Sequence, residues 1–182
     1  MAHSMDHQEY RQRQVLVYGL LVLGIIARLA PHPWNATPLM AIALFGGTHL
    51  SKRWAILLPL AIVAISDWLI GWHATIPFTW GACIFTGLIA WWLRPRPSAP
   101  RILAGALAGS VTFYLITNFG VWFTQELYPR TAAGLWQCYV AAIPFFRGTL
   151  AGDLLYTTIL FGGHSLLTSP RALRQDVVGS RK

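Results

Sequence analysis

Charged residues are scarce in this chain of 182 residues, and acidic ones are scarcer still. Only 11% of the residues are charged, and just six are Asp or Glu. Because soluble domains carry about a quarter charged residues, this composition excludes an ordinary water-soluble globule. The 9 Trp, 9 Phe and 6 Tyr argue against a disordered chain. Two cysteines are too few for a disulfide framework, and the length suits one domain.

Sequence motifs for several common chemistries are also missing. The chain has no P-loop, no dinucleotide-binding fingerprint and no nucleophile elbow, so we do not expect it to hydrolyse ATP itself. It has no C-x-x-C pair, and its six histidines are scattered over the tail, the loops and the helix ends. A zinc site is therefore not predicted.

The chain does contain six apolar stretches separated by turn residues. A spanning helix needs about 20 apolar residues, and helices are the default span because lipid offers the backbone no hydrogen-bond partner. The sequence predicts an all-α integral membrane protein with six transmembrane helices in residues 15–168, between a polar N-terminal tail (1–14) and a basic cytoplasmic tail (169–182). The short second stretch is expected to be tilted, irregular or shielded by its neighbours. The six stretches are 15–30, 37–50, 54–72, 76–93, 102–123 and 148–168.

Basic residues are segregated between the two sides of such a bundle. With six spans, eleven Lys and Arg fall on the side of both termini and two on the other, while Arg28 near the end of the first helix completes the fourteen. Since cytoplasmic loops attract Lys and Arg, both termini are predicted to lie inside. The net charge of +8 is thus an orientation signal, and no nucleic-acid partner is expected. Tryptophans cluster near the predicted outer ends, as in an interfacial belt.

Small residues at four-residue spacing indicate where helices approach each other. Gly105-x-x-x-Gly109 lies in the fifth stretch, and Gly148-x-x-x-Gly152 opens the sixth. Glycines at this spacing let helix backbones come close together. We expect helix contacts at both places.

Two carboxylates lie inside apolar stretches and need an explanation. Asp67 is in the third stretch and Asp153 in the sixth. An intramembrane carboxylate costs about 2.5–3.5 kcal/mol on insertion scales, so it usually faces a cavity or a partner. The structural alternative to a site is an internal partner. The candidates for such a partner are Arg28, Arg147, Asn118 and Tyr156.

Cys83 is predicted to lie at the same depth as Asp67. The two residues flank one short outer loop, each one or two turns away from it, at a rise of about 1.5 Å per residue. A thiolate is a soft donor suited to soft or borderline metals. The alternative is that Cys83 is a small buried hydrophobe. The second cysteine, Cys138, is expected in the outer loop.

Five segments together resemble the small membrane proteins related to the substrate-binding S-components of energy-coupling-factor (ECF) transporters. Cys83 makes the chain most similar to the solitary cobalamin transporters of the BtuM family. The resemblance covers roughly residues 15–168. The segments that carry it are 28–38 (RLAPHPWNATP), 41–47 (AIALFGG), 65–67 (ISD), 117–122 (TNFGVW) and 142–153 (AIPFFRGTLAGD).

The resemblance implies a six-helix S-component bundle in the bacterial cytoplasmic membrane, with a cavity that opens outward and binds vitamin B12 or another corrinoid. Cys83 would ligate the cobalt, with Asp67 supporting it, and loss of cyanide from cyanocobalamin would be a possible side chemistry. The other expected ligand-binding residues are Trp34, Asn35, Trp80, Phe85, Asn118 and Tyr139. The Ala-x-x-x-Ala docking motif of S-components is absent between Val15 and Ala30, which favours a solitary protein over one coupled to an ECF ATPase module.

Three other functions stay open on the sequence alone. The chain is an S-component for another small vitamin-like ligand, or an intramembrane thiol enzyme, or a structural subunit without a ligand. In the enzyme, Cys83 would be the nucleophile and Asp67 or His73 the base. In the structural subunit, the carboxylates would pair internally.

Overall fold

The computed structural model describes residues 2–31, 36–50 and 53–168, apart from the side chains of residues 2–6, 8 and 9. Within these ranges the chain is all-helical, with six helices and no strand, as predicted. The helices are α1 (Ala2–Leu29), α2 (Leu39–His49), α3 (Trp54–Ile70), α4 (Ile76–Leu93), α5 (Ala99–Thr124) and α6 (Ala132–Leu167).

Three of these helices are long and apolar enough to cross a membrane. They are the segment Tyr10–Leu29 of α1, the whole of α4 and the whole of α5. The apolar helices α2 and α3, with 11 and 17 residues, are shorter than that. α6 has the length, at 36 residues, but falls short in apolar character.

Two expected boundaries are wrong. Residues 2–14, predicted as a tail, continue α1 toward the N-terminus as a helix, and Tyr10 to Gln14 are exposed along it. The sixth helix begins at Ala132 instead of 148, so Cys138 lies on a helix and not in an outer loop. The Oγ1 of Thr131 caps this helix by accepting from the N–H of Gly134 at 3.1 Å. The helix then continues through Pro144.

α2 is the central element of the bundle. All residues from Leu39 to Gly47 are buried, because α2 packs against each of the other five helices. Its short apolar stretch is therefore shielded by its neighbours, which is one of the three expected alternatives. α1 and α5, in contrast, leave most of their apolar residues on the outside of the bundle.

Glycines allow close contacts in both of the stretches where they were predicted, but only one contact is with another helix. A Cβ added to Gly105 would meet Leu93, and one added to Gly109 would meet Thr86, so both face α4. A Cβ on Gly152 would lie 2.8 Å from the Cα of Ala36. The approaches of Gly105 and Gly109 to α4 confirm the helix contact expected in the fifth stretch. Gly152 instead approaches the segment that precedes α2, because Ala36 belongs to no helix.

Gly71 ends α3 and sets the course of the loop that follows. Its φ of 116° lies in the left-handed region, and its N–H donates to the carbonyl of Asp67 at 2.8 Å. A side chain would be strained in this conformation, whereas glycine adopts it freely. The turn carries the chain toward His73 and Thr75, which belong to the cavity described next.

Candidate functional site

A cavity of about 420 Å³ lies at the end of the bundle where α1 and α3 terminate and α2 and α4 begin. Its floor comes from the middle of α5 and α6. Hydroxyl groups and three ionisable side chains, those of Arg28, His73 and Asp153, are set among apolar residues in its wall. The wall residues are Arg28, Thr37, Leu39, Met40, Ile70, His73, Thr75, Thr79, Phe113, Thr149 and Asp153.

Arg28 stands on one side of the cavity and pairs with Asp67. Its Nη2 donates to Oδ1 of Asp67, and the indole Nε1 of Trp80 donates to Oδ2 at 3.0 Å. Asp67 is buried, and two donors with one positive charge surround it. A carboxylate with such partners is stable in an apolar bundle. Arg28 is one of the internal partners that the sequence offers for this carboxylate.

The Arg28 side chain keeps an unused donor. Its Nε is buried and has no hydrogen-bond partner among the described residues. A buried donor without a partner costs about 1–3 kcal/mol. Arg28 also lines the cavity, so this unused donor belongs to a side chain that a bound molecule would contact.

Asp153 lies in the wall of the same cavity, but it has fewer described partners than Asp67. It is buried in α6 and accepts a hydrogen bond from Oγ of Ser110 at 2.6 Å. No basic side chain pairs with it in the described part of the chain. One turn further along α6, the Oγ1 of Thr157 is buried without a hydrogen-bond partner in that same part. A carboxylate in this setting is a functional-site candidate, because an intramembrane acid without a counter-charge is costly.

The geometry suits ligand binding better than covalent chemistry. Arg28 offers donors and Asp153 offers acceptors. The hydroxyls of Thr79 and Thr149 donate to backbone carbonyls one helical turn earlier, so their oxygens can accept from a ligand. A cavity of this size lies within the usual range for small-molecule sites, about 300–1,000 Å³. Among the wall residues that the structure describes, no Cys or Ser is paired with a base.

Cys83 is not on the cavity wall. It is fully buried in the apolar core with Met40 of α2 and Ile62 of α3. It lies near enough to Arg28 and Asp67 for their charges to act on the thiol. The expected depth beside Asp67 is thus seen, but the sulfur is enclosed by packed side chains. In this conformation it has no space beside it for a ligand the size of a corrinoid.

Four of the other expected ligand-binding residues are described by the structure, and these four do not converge on one site. Trp80 donates to Asp67, and Phe85 is exposed on the outer side of α4. Asn118 lines an adjoining cavity of about 240 Å³ that shares Thr79, Phe113 and Thr149 with the first.

Tyr139 is engaged in a contact between helices. Its hydroxyl donates to the carbonyl of Leu115 at 2.9 Å, and its own carbonyl accepts from the hydroxyl of Tyr114 at 2.5 Å. It therefore holds α6 to α5 and does not line the main cavity. Trp34 and Asn35 lie outside the described residues. No group of three His, Cys, Asp or Glu suited to a metal ion occurs in residues 2–31, 36–50 and 53–168.

The threonines of the wall were missed by the sequence analysis. Thr149, Asp153 and Thr157 follow each other at four-residue spacing, which places them on one side of α6. Thr75 and Thr79 repeat the same spacing at the start of α4. Threonine occurs often in membrane helices, so only its coincidence with Asp153 could have pointed to the cavity.

The fold and the cavity define an all-helical protein with membrane-length apolar helices and a small polar site at one end. The chain belongs to a family of unknown function, DUF6580, whose model matches residues 8–175. No curated protein and no solved structure matches it.

Proposed function

We propose that this protein spans the bacterial cytoplasmic membrane with both termini inside and takes up a small vitamin-like solute through the cavity lined by Arg28 and Asp153. The observation that carries the proposal is this cavity, with the ionisable side chains of Arg28, His73 and Asp153 in the wall of a mostly apolar bundle. Intramembrane ionisable groups mark substrate pathways in membrane proteins. The positive-inside distribution of Lys and Arg supports the orientation. In the proposed orientation the cavity would lie at the outer face.

The outer surface of the bundle supports its placement in lipid. Large apolar side chains are exposed along the helices, among them Leu57, Leu107 and Ile159. Trp68, Trp72 and Trp136 are each at least 70% exposed. Tryptophan at such positions is typical of a membrane interface. In the proposed six-span arrangement, the short helix α2 is accommodated because neighbouring helices cover most of it.

The resemblance to cobalamin transporters implies that the ligand is a corrinoid. Its cobalt would be ligated by Cys83, and that requires the sulfur to leave the core and the cavity to widen. A solute smaller than a corrinoid needs neither change. The geometry of this conformation therefore favours the smaller vitamin-like ligand, and a solitary protein without an ECF ATPase module remains part of the proposal.

Binding to the purified protein tests the proposal and separates the two ligand classes. The probes are water-soluble vitamins from thiamine to cyanocobalamin, and the readout is the thermal unfolding midpoint in detergent. We expect one small probe to raise the unfolding midpoint of the wild type. Its apparent affinity should be at least tenfold lower for Thr149→Phe, because the larger side chain fills the cavity. The matched control is Thr158→Phe, an exposed position on the same helix.

The cobalamin outcome has its own signature. If cyanocobalamin is the ligand, protein from corrinoid-fed cells is red, and its spectrum changes in Cys83→Ala. If the protein is colourless and Cys83→Ala behaves like the wild type, cobalt ligation is excluded. If no probe stabilises the wild type, or Thr158→Phe loses binding as fully as Thr149→Phe, the cavity is not the binding site.

A further inference from the structure

A second groove lies at the opposite end of the bundle, between the first part of α1 and the start of α3. Its volume is about 260 Å³. Two arginines line it, Arg13 on α1 and Arg53 just before α3. Arg13 is fifteen residues from Arg28, which separates the groove from the ligand cavity by about 22 Å along α1. The two sites are therefore distinct.

The groove combines charge, aromatic rings and an apolar floor. Tyr10, Tyr18 and Trp54 stand around its rim. Val17 and Leu50 are buried and form the floor. Tyr and Trp are preferred at the level of lipid headgroups, where one end of the ring is apolar and the other wet. The span of α1 begins at Tyr10, which puts the groove at this level.

The local charge is positive. Arg53 is exposed, and no ion pair to it is found in the described part of the chain. Arg94, at the end of α4, donates to the carbonyl of Leu50 at 3.2 Å and so adds a third guanidinium next to the groove. Two of the described carboxylates, Asp67 and Asp153, belong to the opposite end. Glu9 lies one helical turn before Arg13 and brings a negative charge to that part of α1. We therefore expect Arg53 to attract an anion more strongly than Arg13 does.

We propose that this groove binds the phosphate headgroup of an anionic phospholipid of the inner leaflet. A guanidinium pairs with phosphate through parallel N–H donors, and the apolar floor continues toward the acyl chains. Basic pockets between membrane helices on the cytoplasmic side are suited to such headgroups. The inference rests on the proposed membrane orientation and not on the identity of the transported solute.

Lipid retention by the full-length protein tests the inference. The purified protein is exchanged into nanodiscs of phosphatidylglycerol and phosphatidylcholine in equal amounts, and retained lipids are counted by native mass spectrometry. We expect phosphatidylglycerol to be enriched several-fold. We expect Arg53→Ala to reduce this enrichment about fivefold, as one surface arginine would, and Arg13→Ala combined with Arg53→Ala to reduce it further. The matched control is Arg96→Ala, an exposed arginine of the same side in the α4–α5 connection.

Three results would overturn the inference. One is equal retention of both lipids by the wild type. Another is an equal loss in Arg96→Ala and Arg53→Ala, which would show that overall charge and not the groove attracts the lipid. The third is full displacement of phosphatidylglycerol by millimolar inorganic phosphate, which would identify a free anion as the occupant. Because Arg53 is exposed, Arg53→Ala is expected to fold, and its thermal unfolding midpoint checks this.

Discussion

Asp67 and Asp153 are both buried carboxylates within helices, with exposures of 2% and 1%, yet their surroundings differ. Asp67 accepts from Arg28 and from Trp80, so a positive charge and an indole N–H stabilise its negative charge. Among the residues that the structure describes, Asp153 accepts only from Ser110, and it lines the cavity. The comparison teaches that burial alone does not identify a functional acid. The acid with a complete set of partners supports the fold, and the acid with an incomplete set is available to a ligand.

Removing the Asp67 carboxylate is expected to have the largest effect on stability. In Asp67→Ala, the mostly buried Arg28 loses its counter-charge and Trp80 loses its acceptor. Breaking a buried pair in this way costs about 3–5 kcal/mol. The free energy of unfolding in mixed micelles, measured by SDS titration, checks this.

The control for that variant is Glu126→Ala, because Glu126 is exposed in the α5–α6 connection. A surface substitution is expected to change the free energy of unfolding by less than about 0.5 kcal/mol. The double variant Arg28→Ala with Asp67→Ala should lose less than the sum of the two single variants, because the charges then disappear together. If Asp67→Ala is as stable as Glu126→Ala, the ion pair does not support the fold.

Trp80→Phe is expected to have the second largest effect. It keeps a ring at the position but removes the N–H that donates to Oδ2 of Asp67. A hydrogen bond to a charged group contributes about 1.5–3 kcal/mol, and we expect a loss near the lower end because Arg28 stays in place. The same SDS titration measures it. In the Asp67→Ala background the substitution should cost much less, and an equal cost there would mean that the indole stabilises the fold by packing only.

Ser110→Ala should have a smaller effect. It removes the one described donor to Asp153, and losing a hydrogen bond of this kind costs about 1 kcal/mol. Ser110→Thr keeps the hydroxyl and serves as the control for the loss of the donor. A loss as large as that of Asp67→Ala would show that Asp153 depends on Ser110 for the fold, contrary to the difference drawn between the two acids.

Asp153→Asn is expected to have the smallest effect on stability and a large effect on uptake. The amide oxygen still accepts from Ser110, and no cation is left without a partner, so we expect a change below about 1 kcal/mol. Uptake of the solute should fall at least tenfold, because the charge at the cavity wall is gone. Growth that depends on the solute, in a strain lacking its own uptake system, measures this. Unchanged uptake together with a strong loss of stability would reverse the roles of the two acids.

The sequence predicted the depth of Cys83 and Asp67 in the bundle better than the direction in which their side chains point. Hydropathy and turn residues placed α3, α4 and α5 within a few residues, and the count along each helix put Cys83 level with Asp67. The direction of a side chain depends on how its helix is rotated against its neighbours. α2 packs against the other five helices, and Cys83 lies buried in the core that α2 forms with them. Thr79, one turn earlier on α4, lies on the cavity wall instead. Apolar residues on all sides of α4 carry no signal of that rotation.

The predicted helix ends differ from the observed ones where polar residues or a proline belong to a helix. Residues 2–14 are polar and yet helical, and α6 continues through Pro144, a residue that usually interrupts a helix. Arg28 was recognised as one of four possible partners of Asp67. Choosing among them required the three-dimensional arrangement of α1 against α3.

Thiol labelling from the outer face tests most directly whether solvent reaches the cavity wall but not the core sulfur. The experiment uses cells expressing Thr149→Cys or the native Cys83, both in a Cys138→Ala background, with Cys83→Ala added to the first, and a membrane-impermeant maleimide. We predict rapid labelling of the Thr149→Cys variant and no labelling of Cys83 until the protein is denatured. Labelling of Cys83 as fast as the Thr149→Cys variant, or no labelling of that variant, would contradict the account.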